Sequence, residues 1–201
     1  MLKKIALLMV ATASAFAMHG VDININSKDL EVGAKLDMGQ FNYNVEPNTV
    51  FVGVRFLKGD ASHSDYHEDY IKDFYEMNFL MKRAVENTGL TLGLGLKLNH
   101  TENDTNKFTS VPLGIEANYK LPIDSAIPFY LGGSLYYAPE VLTMNEANNF
   151  LEYRVHFEAE LIKNGFVTLG YRNIDTNYEV GGRNYDVKYN KSAYLGFKFL
   201  F

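Results

Sequence analysis

Two polar segments hold the residue types best suited to chemistry. His63, Ser64, Asp65, His67, Glu68 and Asp69 fall in one, and His100, Glu102 and Asp104 in the next. Imidazole and carboxylate groups that converge at about 2.0–2.2 Å can hold a divalent metal. His63 and His67 stand four residues apart, a spacing that permits convergence on one metal only if the segment is helical. His63, His67 and His100 are therefore the candidate metal ligands, set against the plainer reading of two solvated loops. Hydrolysis is the weaker chemistry, because no nucleophile, base and orienting group stand out as a set. No catalytic residue is assigned, no cofactor is expected, and the balance leans away from an enzyme.

A second set of ionisable residues is spread along the chain. Between 151 and 161, Leu151, Tyr153, Val155, Phe157, Ala159 and Leu161 alternate with Glu152, Arg154, His156, Glu158 and Glu160. Successive side chains of a strand point to opposite faces, so one face is apolar and the other charged. The same alternation puts Arg55, Glu76, Lys97, Glu116, Arg172 and Lys198 on the polar faces of other strands, along with Glu31, Lys35 and Asp37. Charges of both signs crowded into a narrow interior should pair, because an isolated buried charge is costly. Arg55, Arg154 and Arg172 are expected to bridge the carboxylates, since a guanidinium fork suits two parallel bonds. If such an interior conducted instead, Glu152, Glu158 and Glu160 would bias it toward cations, and His156 would add a pH-dependent element.

What must position these groups is a set of strands. Leu90, Leu92, Leu94, Leu96 and Leu98 share one face, opposite Thr91, Gly93, Gly95, Lys97 and Asn99; a helix would scatter those leucines around its circumference. Ten segments read this way: 21–26, 30–38, 50–58, 70–81, 89–99, 110–120, 128–137, 151–161, 166–174 and 191–201. Composition agrees, with 14 Tyr, 14 Phe and 16 Gly against 5 Pro. The 47% hydrophobic content excludes a disordered chain. The absence of cysteine excludes disulfides and thiolate metal sites. A net charge of −5 argues against nucleic acid as a partner.

The first residues read as an address. Lys3 and Lys4 precede an apolar run ending in Ala15-Phe16-Ala17, the order of a secretory signal peptide. Residues 1–17 are expected to be removed, leaving one domain over 18–201. Loss of the two lysines takes the formal charge from −5 to about −7. No later stretch is apolar enough for a membrane-spanning helix.

An exported chain of amphipathic strands is either a soluble sandwich or a membrane barrel. Three features favour the membrane. The apolar faces are long enough for strands of roughly 9–11 residues that cross a bilayer. Tyr119, Phe129, Tyr137, Tyr153, Tyr171, Phe199 and Phe201 cluster toward strand ends, as an interfacial girdle does. The opposite faces carry glycine and mixed charges, which suit a crowded lumen. The expectation is an all-β, antiparallel up-and-down transmembrane barrel of ten strands, the alternative being eight strands plus an N-terminal extension. Short connections at 82–88, 121–127 and 162–165 read as periplasmic, and the longer ones at 59–69, 100–109, 138–150 and 175–190 as extracellular. The 138–150 loop opens with Pro139 and is a candidate lid, and 175–190 reads as a hairpin extending past the membrane.

The whole mature chain resembles small outer-membrane β-barrels of Gram-negative bacteria. Its last strand ends Lys198-Phe199-Leu200-Phe201, and Phe197, Phe199 and Phe201 look like that group's signal to the barrel-assembly machinery. More narrowly, Val21-Asp22-Ile23-Asn24-Ile25-Asn26, Leu135-Tyr136-Tyr137-Ala138-Pro139-Glu140-Val141-Leu142 and Val167-Thr168-Leu169-Gly170-Tyr171-Arg172 resemble the YfaZ family of outer-membrane proteins. That resemblance implies location and fold and carries no reaction. The expected function is that of an integral outer-membrane, porin-like barrel with an ion-paired lumen and a structural or interaction role. The alternatives are a narrow cation-preferring pore and a metal-binding or hydrolytic rim. The expected partners are outer-membrane lipid and the assembly machinery, for a monomer that binds no nucleic acid.

Overall fold

The computed structural model describes residues 20–27, 29–58, 73–102, 107–145, 147–180 and 183–201. The expected leader and its cleavage point lie outside the described residues, as does the 59–72 segment. The described residues form twelve strands: β1 (Gly20–Ile25), β2 (Leu30–Asp37), β3 (Val50–Lys58), β4 (Phe74–Ala84), β5 (Leu90–Glu102), β6 (Lys107–Ser110), β7 (Leu113–Lys120), β8 (Phe129–Ala138), β9 (Thr143–Met144), β10 (Ala147–Ile162), β11 (Gly165–Val180) and β12 (Arg183–Leu200).

Ten of them make a closed antiparallel wall in the order β1-β2-β3-β4-β5-β7-β8-β10-β11-β12, and β12 returns to pair with β1. At this seam Gly20 faces Leu200 and Ile25 faces Leu195, so the described chain starts and finishes at one end of the barrel. β6 continues the wall above β7 by pairing with β5, and β9 pairs with β6. The alternative of eight strands with an N-terminal extension is thereby corrected: β1 and β2 are wall strands, bonded on both sides. Closure explains why. An open edge would leave a row of backbone donors and acceptors unpaired in lipid, which hydrocarbon does not tolerate.

Burial is inverted relative to a soluble protein. Leu94 is 69% exposed, and Leu169, Ile115 and Phe197 each stand more than half exposed on the outer face, while Arg172, Glu31 and Glu152 on the inner face are 0% exposed. The leucines of β5 are not sandwiched between sheets; they form a belt around the wall. Aromatic rings mark its margins. Phe129 stacks on Phe157 at 5.5 Å and Phe199 lies 5.8 Å from Phe201 at the terminal end, while Tyr153 and Tyr171 lie 6.2 Å apart at the other end.

Above Tyr153 and Tyr171 the inner and outer faces exchange character. Below this level the wall is apolar outside and charged inside. Above it, Ile174, Tyr178, Phe108, Phe150, Phe74 and Leu57 point inward and are buried. Asn177 there donates to Asp186, and Asn173 to Asp175. A strand that leaves hydrocarbon for water no longer needs a greasy outer face, so the switch marks where the bilayer ends.

The strand boundaries follow from this switch. β10 starts at Ala147 rather than 151, and β11 and β12 run to Val180 and Arg183 rather than stopping at 174 and 191. The register of that hairpin shifts between Ile174 and Asp175, where β12 inserts Tyr189 as a bulge. β4 occupies Phe74–Ala84 rather than 70–81; 70–72 lie outside the described residues. At the terminal end the turns are short, with left-handed Asn87 and Gly89 between β4 and β5 and left-handed Asn164 between β10 and β11.

Candidate functional site

The bore is layered. Its middle layer is built from charges delivered by the inward parity of β2, β3, β4, β5, β10 and β11 and by the β1–β2 turn. Arg154 on β10 reaches across to Glu31 on β2 with both terminal nitrogens, at 2.8 Å to each carboxylate oxygen, and its Nε donates to Glu152 at 2.6 Å. Lys97 on β5 stands between Glu152 at 2.7 Å and Glu76 at 3.0 Å. Arg55 on β3 lies 3.3 Å from Glu76 and 3.6 Å from Glu31. Arg172 on β11 lies 3.0 Å from Glu31 and 3.2 Å from Asp29. Four cations thus meet four carboxylates, a balance that limits the cost of removing them all from water.

Tyrosine rings and glycines complete this layer. Lys97 lies 4.0 Å over the ring of Tyr136, and Arg172 lies 5.3 Å over that of Tyr194. Those rings lie flat on the wall where glycine leaves space. A Cβ at Gly95 or Gly114 would enter Tyr136, and one at Gly170 would enter Tyr194. The inward glycines are therefore explained by close approach, not by backbone conformation.

Above the charges sits an aromatic cap. Phe108 stacks on Phe150 at 5.5 Å, Phe74 on Phe150 at 6.3 Å, and Phe108 lies 5.7 Å from Tyr189. Tyr178 and Tyr189 hydrogen-bond to each other through their hydroxyls. Leu57, Ala138, Ala147 and Ile174 fill the remaining space. Burial, reinforced by the adjacent Tyr178, pushes the Tyr189 phenol well above its ordinary value, so the cap carries no charge. The 138–150 loop contributes to it: after Pro139 it makes a 3-10 turn, Glu140–Leu142, and Leu142 packs against the cluster.

The remaining expected lumen residues lie nearer the terminal end. Lys198 pairs with Glu158, which also accepts from Thr168 at 3.3 Å and lies 3.9 Å from His156. Glu116 accepts from the Tyr136 hydroxyl at 2.7 Å. Glu160 accepts from Tyr130 at 3.2 Å and from the Asn164 backbone at 3.1 Å. Both carboxylates thus accept hydrogen bonds from neutral donors, and Lys35 and Lys97 act on Glu116 at longer range. Asp29 is not among the lumen residues that strand parity assigns. It sits in the β1–β2 turn yet folds inward, accepting 2.6 and 3.1 Å bonds from Asn190 besides its contact with Arg172.

The proposed metal ligands are not brought together among the described residues. His63 and His67 lie outside that set. His100 has the outward parity of β5, with Nδ1 2.9 Å from Thr109 Oγ1. No group of three or more His, Asp or Glu suited to a metal occurs among the described residues. Phe197 and Phe199 face outward on the seam strand, opposite Ile23 and Val21.

No curated protein matches this sequence. Among solved structures, the chain is similar to OmpT, an outer membrane protein of Vibrio cholerae in its trimer form, with 15% identity over 86% of this chain and 55% of that one and a TM-score of 0.33. The chain therefore spans about half the length of that protein. It is also similar to the Acinetobacter baumannii outer membrane protein Omp33, with 8% identity over 92% of this chain and 99% of that one and a TM-score of 0.33. A closed wall that is apolar outside and charged inside is the architecture of an outer-membrane barrel. The sequence model described as YfaZ precursor matches residues 3–201, so the chain belongs to the YfaZ family of outer-membrane β-barrel proteins.

Proposed function

We propose that the protein is a non-conducting outer-membrane barrel whose role is structural or interactive. The observation that supports this reading best is the Arg154–Glu31 pair, which ties β10 to β2 across the bore with 2.8 Å bonds. An ion would have to break that pair, and the flanking contacts to Glu152, Arg172 and Arg55, before meeting a buried aromatic cap. Charges so fully engaged with one another have little left for a passing ion. The barrel then serves as a rigid base for the β11–β12 hairpin, which stands above the belt on the long-loop, extracellular side.

Purified barrel in planar bilayers is expected to give no single-channel steps. Steady steps of uniform size from the folded protein would overturn the closed reading in favour of a pore.

The outward Phe197 and Phe199, with Phe201 at the chain end, are proposed as the assembly signal. Removing Phe201 should lower the amount of protein reaching the outer membrane several-fold without changing its synthesis. Fractionation with a blot for the heat-resistant form reads this directly, and unchanged assembly would dismiss the assignment.

A further inference from the structure

Beneath the charged layer the bore opens into a cavity of about 390 Å³ that reaches the strand ends at Gly20 and Leu200. Arg55, Lys97 and Arg154 form its floor, so it is a recess entered from the terminal end. Its volume falls in the range of small-molecule pockets.

Two of its cations differ from those of the layer above. Lys35 on β2 and Lys82 on β4 have no carboxylate in salt-bridge contact among the described residues. Their stems lie flat on glycines: the Lys35 Cγ is 3.1 Å from where a Gly53 Cβ would stand, and the Lys82 Cγ is 3.2 Å from the corresponding point at Gly93. Lys82 rests 4.1 Å over the Phe51 ring. Lys82 faces the like charges of Lys35 and Lys198 and the opposite charges of Glu116 and Asp37, and Glu116 also faces Lys35. The other ionisable groups around this recess are engaged: Glu158 holds Lys198 and is near His156, Glu116 takes the Tyr136 hydroxyl, and Asp22 accepts from Asn24 at 3.2 Å.

We propose that this recess binds a small soluble phosphate monoester, with Lys35 and Lys82 clasping the doubly charged group. A dianion between two like cations replaces their repulsion with two charge-assisted contacts. Lysine serves as a compact point charge for phosphate of this kind. The walls supply further donors at Asn118 and Ser134 and an aromatic face at Tyr130 for the rest of the molecule.

The test is titration calorimetry on the full refolded barrel in detergent, with glycerol 3-phosphate as probe. Saturable binding is expected, with inorganic phosphate competing and glycerol silent. Lys35→Gln and Lys82→Gln should each weaken binding about tenfold, or about 1.4 kcal/mol, while Lys188→Gln, exposed at the opposite end of the barrel on β12, should leave it unchanged. A boiled-against-unboiled gel checks that each variant is folded, and the phosphate competition on the unmodified protein stands even if a variant is not. Absence of saturable heat, or binding by both lysine variants as tight as by the unmodified barrel, would refute the site. Binding of dihexanoyl phosphatidic acid but not glycerol 3-phosphate would also refute it, since the ligand would then be a lipid. A conducting barrel that still binds would remove the closed-lumen reading alone, and a silent one that does not bind would remove this site alone.

Discussion

Arg154→Met is expected to destabilise the folded barrel by about 3–5 kcal/mol, the usual cost of breaking a buried ion pair from one side. The variant leaves Glu31 and Glu152, both 0% exposed, without the fork that joined them, and leaves the layer with three cations to four carboxylates. The chain has no tryptophan, so the readout is the loss of the heat-modifiable band across a urea series in lipid vesicles. Adding Glu31→Gln to Arg154→Met should recover part of the loss, because removing both partners is milder than orphaning one. Lys198→Met is the contrast: its side chain is 28% exposed, and about 1 kcal/mol or less is expected there. Equal midpoints for Arg154→Met and the unmodified barrel would show that the charges in the bore are solvated rather than mutually held.

The second large effect tests which side faces lipid. Leu94→Arg places a guanidinium at the middle of the β5 belt, where about 2–4 kcal/mol is expected for a membrane barrel. Ile162→Arg, at the end of β10, should cost about 0–1 kcal/mol because that position lies at the interface. On a water-exposed wall the two variants would behave alike, each within about 0.5 kcal/mol of the starting protein. The difference between them, measured in vesicles, therefore reports the depth of the bilayer and not merely tolerance of arginine.

The wall was legible in the sequence because the belt imposes strict alternation. β5, β8 and the lower parts of β10 and β12 announce themselves through residues such as Leu92, Leu135, Phe157 and Phe197, all on the outer face. Legibility ended at the membrane margin. Beyond Tyr171 the outer positions become Asn173, Asp175 and Asn177, while apolar residues continue inward as Ile174 and Tyr178, so the signal fades while the ladder persists. A bulge at Tyr189 then breaks the parity of β12. For the charged layer, inward placement of Arg55, Glu76, Lys97, Glu152, Arg154 and Arg172 could be read from parity alone. Their partners could not, since pairing depends on strand stagger around a closed wall. Asp29 was hidden for a different reason. It occupies a turn, where acidic residues are ordinary, and only the approach of β11 and β12 gives it Arg172 and Asn190.

The charged layer also constrains how such a chain can be built. Its bonds join β2 to β10 and β11, and β5 to β10, pairs that are not neighbours in the wall. A half-finished sheet would present Glu31, Glu152 and Arg172 to acyl chains with nothing opposite them. Insertion strand by strand is therefore unfavourable until the ends meet. The six-residue seam between β1 and β12 becomes the step on which the electrostatic circuit depends. Folding of this protein into a bilayer should accordingly be all-or-none, with seam closure and neutralisation of the interior as a single event.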